Sequence, residues 1–148
     1  MEKRINIGIA SDHAGFEMKE ALKPYLEQKG YIVEDFGTHS TASMDYPDVA
    51  HPLASSIEEG ENILGIAICG SGNGINMAVN KHQGIRGALC WTPELACLAR
   101  KHNDANILAM PGRFISVYYA MEIVDAFLST DFEGGRHCGR VDKIALKR

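Results

Sequence analysis

The strongest chemical signal in this 148-residue chain is a cysteine at the end of an apolar run. Ile63 to Ile68 reads as a buried strand. Cys69 follows, then the turn Gly70-Ser71-Gly72-Asn73-Gly74, then an apolar-rich segment from Ile75 that can open a helix. A strand–turn–helix unit of this kind brings backbone N–H groups and the positive end of a helix dipole to one point. Glycine lets the backbone approach an anion closely and adopt positive φ. Negative charge is favoured at such a point, whether on a thiolate or on a bound oxyanion. The unit therefore predicts a base, Cys69, beside a loop that holds an oxyanion. Taken alone, Cys69 reads more simply as a small buried hydrophobe; the glycine turn is what shifts the reading. That turn is not a dinucleotide fingerprint, because its third glycine arrives one residue early and it follows the third strand. Nor is it a Walker A loop, since no Gly-Lys-Ser/Thr follows.

Further candidates lie along the chain. Asp12 and His13 follow the first apolar run, where they either serve a site or cap a helix. Arg113 comes directly after a predicted strand. Arg136 and Arg140 are four apart and would share a helix face, which suits a phosphate or a solvated tail alike. His102-Asn103 could be an ordinary helix C-terminus, where a cation and an Asn are both favoured. His39, His51 and His82 read as solvated. No His, Cys or carboxylate spacing reads as a metal site.

Fifteen basic against nineteen acidic side chains leave a net charge of −4, so nothing implies bulk attraction to nucleic acid or an anionic membrane. An anionic ligand must then be held by a few placed arginines. No apolar stretch approaches the length of a membrane span, and the N-terminal run is too short for a signal peptide. Cys69, Cys90, Cys97 and Cys138 form no CxxC pair, which predicts reduced thiols in a cytoplasmic protein.

The elements that must position these groups alternate. Strands are predicted at Ile5–Ala10, Tyr31–Phe36, Ile63–Cys69, Gly84–Cys90 and Ala105–Met110. Helices are predicted from about Phe16 to Lys29 (with Pro24 kinking or breaking it), Pro47 to Glu59, the glycine turn to Lys81, Pro93 to Lys101 and Val117 to Leu128. A last helix is expected from about Arg140. Thr92-Pro93-Glu94 is a strong helix start, and Ser116 is a candidate cap. The pattern predicts one three-layer α/β/α Rossmann-like domain over residues 1–148, with a five-stranded parallel sheet. Ligands gather at the carboxyl ends of such strands, where Asp12, Cys69 to Gly74, Trp91 and Arg113 would converge. His102 precedes a strand and would lie on the opposite edge. If it serves the same site, a second subunit must supply it.

The residues Ser11-Asp12-His13-Ala14-Gly15, Asp45-Tyr46-Pro47, Cys69-Gly70-Ser71-Gly72-Asn73-Gly74, Asn80-Lys81, Gly84-Ile85-Arg86, Arg100 to Asn106 and Glu133-Gly134-Gly135-Arg136-His137 occur in that order. Together they closely resemble the type B ribose-5-phosphate isomerases, in the family that also holds the galactose-6-phosphate isomerase subunits. The resemblance covers nearly the whole chain. It implies a cofactor-free aldose–ketose isomerase, a homodimer or dimer of dimers, with sites between subunits and the tail from about residue 131 at the interface. It further implies that Cys69 moves a proton between C1 and C2 through an enediolate and that His102 assists ring opening. Asp12 would contact the sugar, and Gly70 to Gly74 would donate N–H groups to the oxyanion, with Ser71 beside the thiol. His13, Arg113, Arg136 and Arg140 would hold the phosphate, while Tyr46 and Asn103 line the site. One branch of the family carries a glutamate base directly after the turn; Ile75 stands there in this chain, leaving the cysteine. A hexose 6-phosphate is the alternative substrate, and a phosphosugar sensor without turnover is the alternative class.

Overall fold

The computed structural model describes residues 5–146, so Met1–Arg4 and the last two residues of the tail lie outside it. β1 (Asn6–Ser11) leads through a single 3₁₀ turn (His13–Gly15) into α1 (Phe16–Gln28), followed by β2 (Ile32–Asp35) and α2 (Pro47–Glu58). β3 (Leu64–Cys69), α3 (Asn73–Val79), β4 (Gly87–Leu89), α4 (Pro93–Asn103), β5 (Ile107–Pro111), α5 (Val117–Ser129) and α6 (His137–Asp142) complete the order. The five strands form one parallel sheet in the order β2-β1-β3-β5-β4. The fold is therefore the Rossmann-like α/β arrangement expected from the alternation of apolar runs.

Side chains alternate across the sheet, as the pleat requires. Ile7, Ile9, Ile66, Ile68, Leu108 and Met110 point into a core closed by Leu22 and Leu26 of α1, Ala96 of α4 and Ile123 and Phe127 of α5. Ala10, Ala67, Cys69, Ile107 and Ala109 point the other way, against Ala50 and Leu53 of α2 and Ile75 and Val79 of α3. Helices thus cover both faces, which is what lets parallel strands be apolar on both sides.

Two details differ from expectation, and a third decides against one of two alternatives. Pro24 lies inside α1 without ending it; a proline removes one intrahelical hydrogen bond, and the flanking Leu22 and Leu26 are fully buried. β4 is only three residues long, because the Asn106 side chain takes over the backbone just before it: its amide accepts from the Arg86 N–H at 2.7 Å and donates to the Gly84 carbonyl at 2.9 Å. The last helix begins at His137, not Arg140, after Gly134 and Gly135 turn the chain with φ of 73° and 58°.

One charged side chain is wholly inside. Lys19 of α1 has no exposed surface and donates to Asp35 at 2.7 Å and Glu20 at 2.8 Å. Asp35 also meets Lys23 at 2.9 Å and accepts from the Gly37 N–H at 2.8 Å. This network ties α1 to the end of β2 and the start of the loop that leads to Tyr46. Burial raises the Asp35 carboxyl pKa, but the hydrogen bonds from Lys19, Lys23 and the Gly37 N–H outweigh it and hold the group below its usual range. A carboxylate lowered in the folded state contributes stability above its unfolded pKa and loses it as pH falls through the folded value. We therefore expect Lys19→Ala to cost about 1–3 kcal/mol in urea unfolding at pH 7, since it takes one of two lysines from a partly buried carboxylate. The deficit should shrink as pH falls below the ordinary carboxylate range and through the lowered folded value at which Asp35 protonates. A deficit that stayed constant with pH would locate the cost in packing instead.

Candidate functional site

In an open parallel sheet, the crevice for ligands opens where successive connections leave in opposite directions. Here that point lies between β1 and β3, which are neighbours although β2 follows β1 in sequence. Ser11 pairs with Ile68, and the Asp12 N–H donates to the Ile68 carbonyl at 3.1 Å, so Asp12 and Cys69 emerge side by side.

Cys69 ends β3 and is 5% exposed, its side chain on the α2/α3 face. Its carbonyl accepts from the Gly112 N–H at 2.8 Å, and the Gly70 carbonyl from the Arg113 N–H at 3.1 Å. The turn is thereby stitched to the chain leaving β5. Glycine is needed within it for different reasons. A Cβ on Gly70 would stand 3.1 Å from Nη1 of Arg113, whose guanidinium lies over the turn. Gly72 has φ of +78°, and a Cβ there would run into the Leu89 side chain and sit 3.0 Å from the Met110 carbonyl carbon. A Cβ on Gly74 would meet the Tyr46 ring at 2.5 Å. The Asn73 N–H donates to Ser71 Oγ at 3.2 Å. Gly72 caps α3 without a side chain; of the first-turn N–H groups, which have no partner within the helix, that of Asn73 is the one a side chain engages among the described residues. Ser71 and Asn73 also line a cavity of about 710 Å³ with Trp91, Pro111, Phe114 and Tyr119.

Asp12 and His13 flank the same crevice. Asp12 Oδ1 accepts from the N–H groups of Ala14 and Gly15 at 3.0 and 3.1 Å; the capping role weighed from sequence is realised, and the second carboxylate oxygen takes no part in it. His13 Nδ1 accepts from the Met44 N–H at 3.2 Å. In its neutral form the ring must then carry its proton on Nε2, ready to donate. Tyr46 stands at the start of α2, 37% exposed.

The remaining candidates lie elsewhere. Gly65 pairs with Ile107 and Cys69 with Pro111, so β5 runs from the amino edge of the sheet to the carboxyl edge. His102 and Asn103 end α4 before β5 begins, about 16 Å of strand away from the thiol. Arg136 caps α6, Arg140 lies in its last turn, and α6 packs on α4. Within one chain the candidates therefore divide. Asp12, His13, Tyr46, Gly70 to Gly74, Cys69 and Arg113 occupy the carboxyl edge, while His102, Asn103, Arg136 and Arg140 occupy the α4–α6 corner.

That corner holds two residues the spacing did not single out for chemistry. The His102 ring stacks on His137, with centroids 4.5 Å apart and planes 16° apart. Glu133 donates its N–H to the Lys101 carbonyl at 3.1 Å, and a carboxylate oxygen lies 3.9 Å from His137 Nε2. His137 is buried, and its Nε2 has no hydrogen-bond partner among the described residues. Burial, then the neighbouring charges of His102 and Arg136, hold its imidazole below the usual pKa. His102, Glu133 and His137 form a group of donor atoms that could hold a metal ion. Sequence hid it because 31 residues separate the first two, and the last helix was expected to start later. Of the histidines read as solvated, His39 is exposed. His51 and His82 instead form a chain, His51 Nδ1 to His82 Nε2 at 2.8 Å and His82 Nδ1 to Glu58 at 2.8 Å.

A parallel α/β sheet with a thiol, a glycine turn and an arginine at the carboxyl ends of its strands is an arrangement suited to a small anionic ligand. The chain belongs to the ribose/galactose isomerase family, whose profile matches residues 7–144. It is 44% identical to ribose-5-phosphate isomerase B of Escherichia coli, over 93% of each chain. Among solved structures, the Thermotoga maritima ribose 5-phosphate isomerase superposes with a TM-score of 0.94 at 53% identity, covering 97% of this chain and 99% of that one. Ribose-5-phosphate isomerase B of Mycoplasma genitalium, solved with bound ribulose-5-phosphate, gives 0.92 at 42% identity over 97% and 95%.

Two outcomes follow from this geometry. Gly72→Ala forces a β-carbon into a left-handed conformation and into its neighbours, and should lower stability by about 1–3 kcal/mol in thermal unfolding. In the folded protein, a thiol reagent at pH 8 should modify exposed Cys138 first. It should leave Cys90 untouched until the chain unfolds, because burial pushes that thiol up to about 12. Peptide mapping of the labelled protein would show the order; early labelling of Cys90 would mean that its core opens.

Proposed function

We propose that this chain interconverts D-ribose 5-phosphate and D-ribulose 5-phosphate in the cytoplasm, as a cofactor-free homodimer of single-domain subunits. The observation that carries the reading is Cys69 at the switch point, beside a turn in which, among the described residues, only the Asn73 N–H meets a side chain. The full-length match to a ribose-5-phosphate isomerase B solved with ribulose-5-phosphate supports the substrate.

Isomerising an aldose means removing a carbon-bound proton while negative charge builds on the adjacent oxygen. In this reading the Cys69 thiolate takes the C2 proton of the open-chain sugar. The resulting enediolate is held by N–H groups of Gly70 to Gly74, its hydroxyl proton passes from O2 to O1, and the thiol returns the carbon-bound proton to C1, leaving the carbonyl at C2. A placed base supplies about 10²–10⁴-fold, and donors aimed at the developing oxyanion are often the larger contribution. His102 moves the proton that opens the furanose, Asp12 holds a sugar hydroxyl, and Tyr46 and Asn103 close the walls. His13, Arg113, Arg136 and Arg140 bind the phosphate, far enough from C1 and C2 for its binding energy to orient them. Arginine suits this task through its paired N–H donors.

Because the two halves lie on opposite edges of one chain, the reading requires two copies, each lending its α4–α6 corner and tail (residues 131–148) to the other's Cys69. Exposed Phe114 and Tyr118, at 76% and 81%, and half-exposed Trp91 beside the cavity support an apolar contact of that kind. No helix among the described residues is long and apolar enough to cross a membrane.

The test is turnover of ribose 5-phosphate by the purified protein, by Cys69→Ala, by His102→Ala and by both variants co-expressed. Each variant alone should lose activity. If sites are shared, half of randomly paired dimers combine the two variants and hold one intact site of two, so about a quarter of wild-type activity should return. No return would confine each site to one chain. Tight phosphosugar binding without turnover by the wild type would favour a sensor.

A further inference from the structure

We propose that His102, Glu133 and His137 form a binding site for a transition-metal dication, with zinc the best fit, at the α4–α6 corner. Their ligand atoms lie within 4.8 Å of one another. Two imidazole nitrogens and a carboxylate oxygen are a zinc donor set that leaves a fourth position open. Magnesium and calcium, which need oxygen ligands, are poorly served by it. The second, independent observation is His137 Nε2, a buried polar atom with no hydrogen-bond partner among the described residues. Such an atom is costly to leave unpaired, and a bound ion would engage it.

The scaffold around the three groups is ordered. Glu133 is fixed to α4 by its backbone bond to Lys101. His137 opens α6, four residues beyond Glu133, and His102 ends α4. Stacked rings cannot both aim their lone pairs at one ion, so His102 must tilt out of its 16° stack. It is only partly covered and sits on a helix end, where such a rotation is cheap. Arg136 and Arg140 flank the corner and oppose a dication, which weakens its binding. An anion held by the same arginines would offset that repulsion. Glu133, 57% exposed, is the negative partner that favours the ion.

The experiment is a zinc titration by calorimetry on tag-free protein in phosphate-free buffer, with cobalt(II) absorption as a second readout of nitrogen and oxygen ligation. Glu133→Gln and His137→Ala should each weaken binding at least tenfold. His51→Ala and Cys138→Ser, which remove two accessible metal-binding groups outside the trio, should leave it unchanged. Absence of wild-type binding up to 100 µM (roughly a millimolar or weaker site), or binding that survives Glu133→Gln and falls with His51→Ala, would overturn the proposal. Circular dichroism checks that His137→Ala folds; if it does not, the exposed Glu133→Gln decides. One consequence rests on the proposed isomerase activity: an ion on His102 should inhibit ribose 5-phosphate turnover in the wild type and at least tenfold less potently in Glu133→Gln. Zinc binding reads independently of turnover, so failure of either reading is distinguishable from failure of the other.

Discussion

The structure depends on how the carboxyl end of β3 is pinned. Carbonyls at that end are consumed on both sides: Ile68 accepts from Asp12, Cys69 from Gly112 and Gly70 from Arg113. These bonds join two chain crossings, those leaving β1 and β5, to the same short stretch. Their net strength is modest in water, yet a buried carbonyl left unpaired would cost more than each contributes. With these acceptors satisfied by neighbouring strand ends, the turn is held as a rigid arch. Its donors are then free to face a ligand. A site of this type needs preorganised N–H groups, because dipoles that must reorient during reaction give up much of their stabilising effect.

The same pinning explains the glycines. Gly72 needs its positive φ to turn from β3 into α3 within reach of Leu89 and Met110. Gly70 and Gly74 leave room for Arg113 and Tyr46 to lie directly on the backbone. Side chains that would otherwise sit a carbon further out are thereby brought to the arch, at no cost in strain. The turn is less a flexible linker than a surface onto which an arginine and a tyrosine are packed.

Much of this was legible from the residues alone. The apolar runs alternate with amphipathic helices strongly enough to give all five strands, their parallel direction and the edge where Asp12, Cys69 and Arg113 meet. The separation of His102 from Cys69 followed from topology, since a residue before a strand cannot lie at that strand's far end. What escaped reading depends on side chains reaching across sequence. Asn106 shortens β4 by bonding backbone 20 and 22 residues away, and no local pattern encodes that. The His102–His137 stack joins two helix ends whose packing is set by α4 and α6 together. Lys19 sits on the inward face of α1, where charge is rare; its partners, the adjacent Glu20 and the distant Asp35, make the position tolerable.

Charge arithmetic adds the last constraint. A chain of net charge −4 cannot attract a phosphate by its overall field, so the placement of individual arginines decides. Arg86 and Arg100 are committed to closing α4. Arg86 donates to the Asp104 carbonyl at 2.7 Å, and Arg100 to the Asp104 carboxylate at 3.2 Å and the Thr130 carbonyl at 3.1 Å. Asp104 itself has φ of 48°, a left-handed helix end that these two guanidinium groups hold in place. Among the described residues that leaves Arg113, Arg136 and Arg140, all exposed, and they fall on the two separated halves of the candidate site. A single chain could gather them only by moving α6 across the sheet, which would break its packing on α4 and the backbone bond between Glu133 and Lys101. In the proposed dimer, docking of two chains would gather them with no internal rearrangement. The half-exposed indole of Trp91 and the exposed rings of Phe114 and Tyr118 supply apolar surface for such a contact. A shared anion and a buried apolar contact would then be satisfied by one and the same geometry.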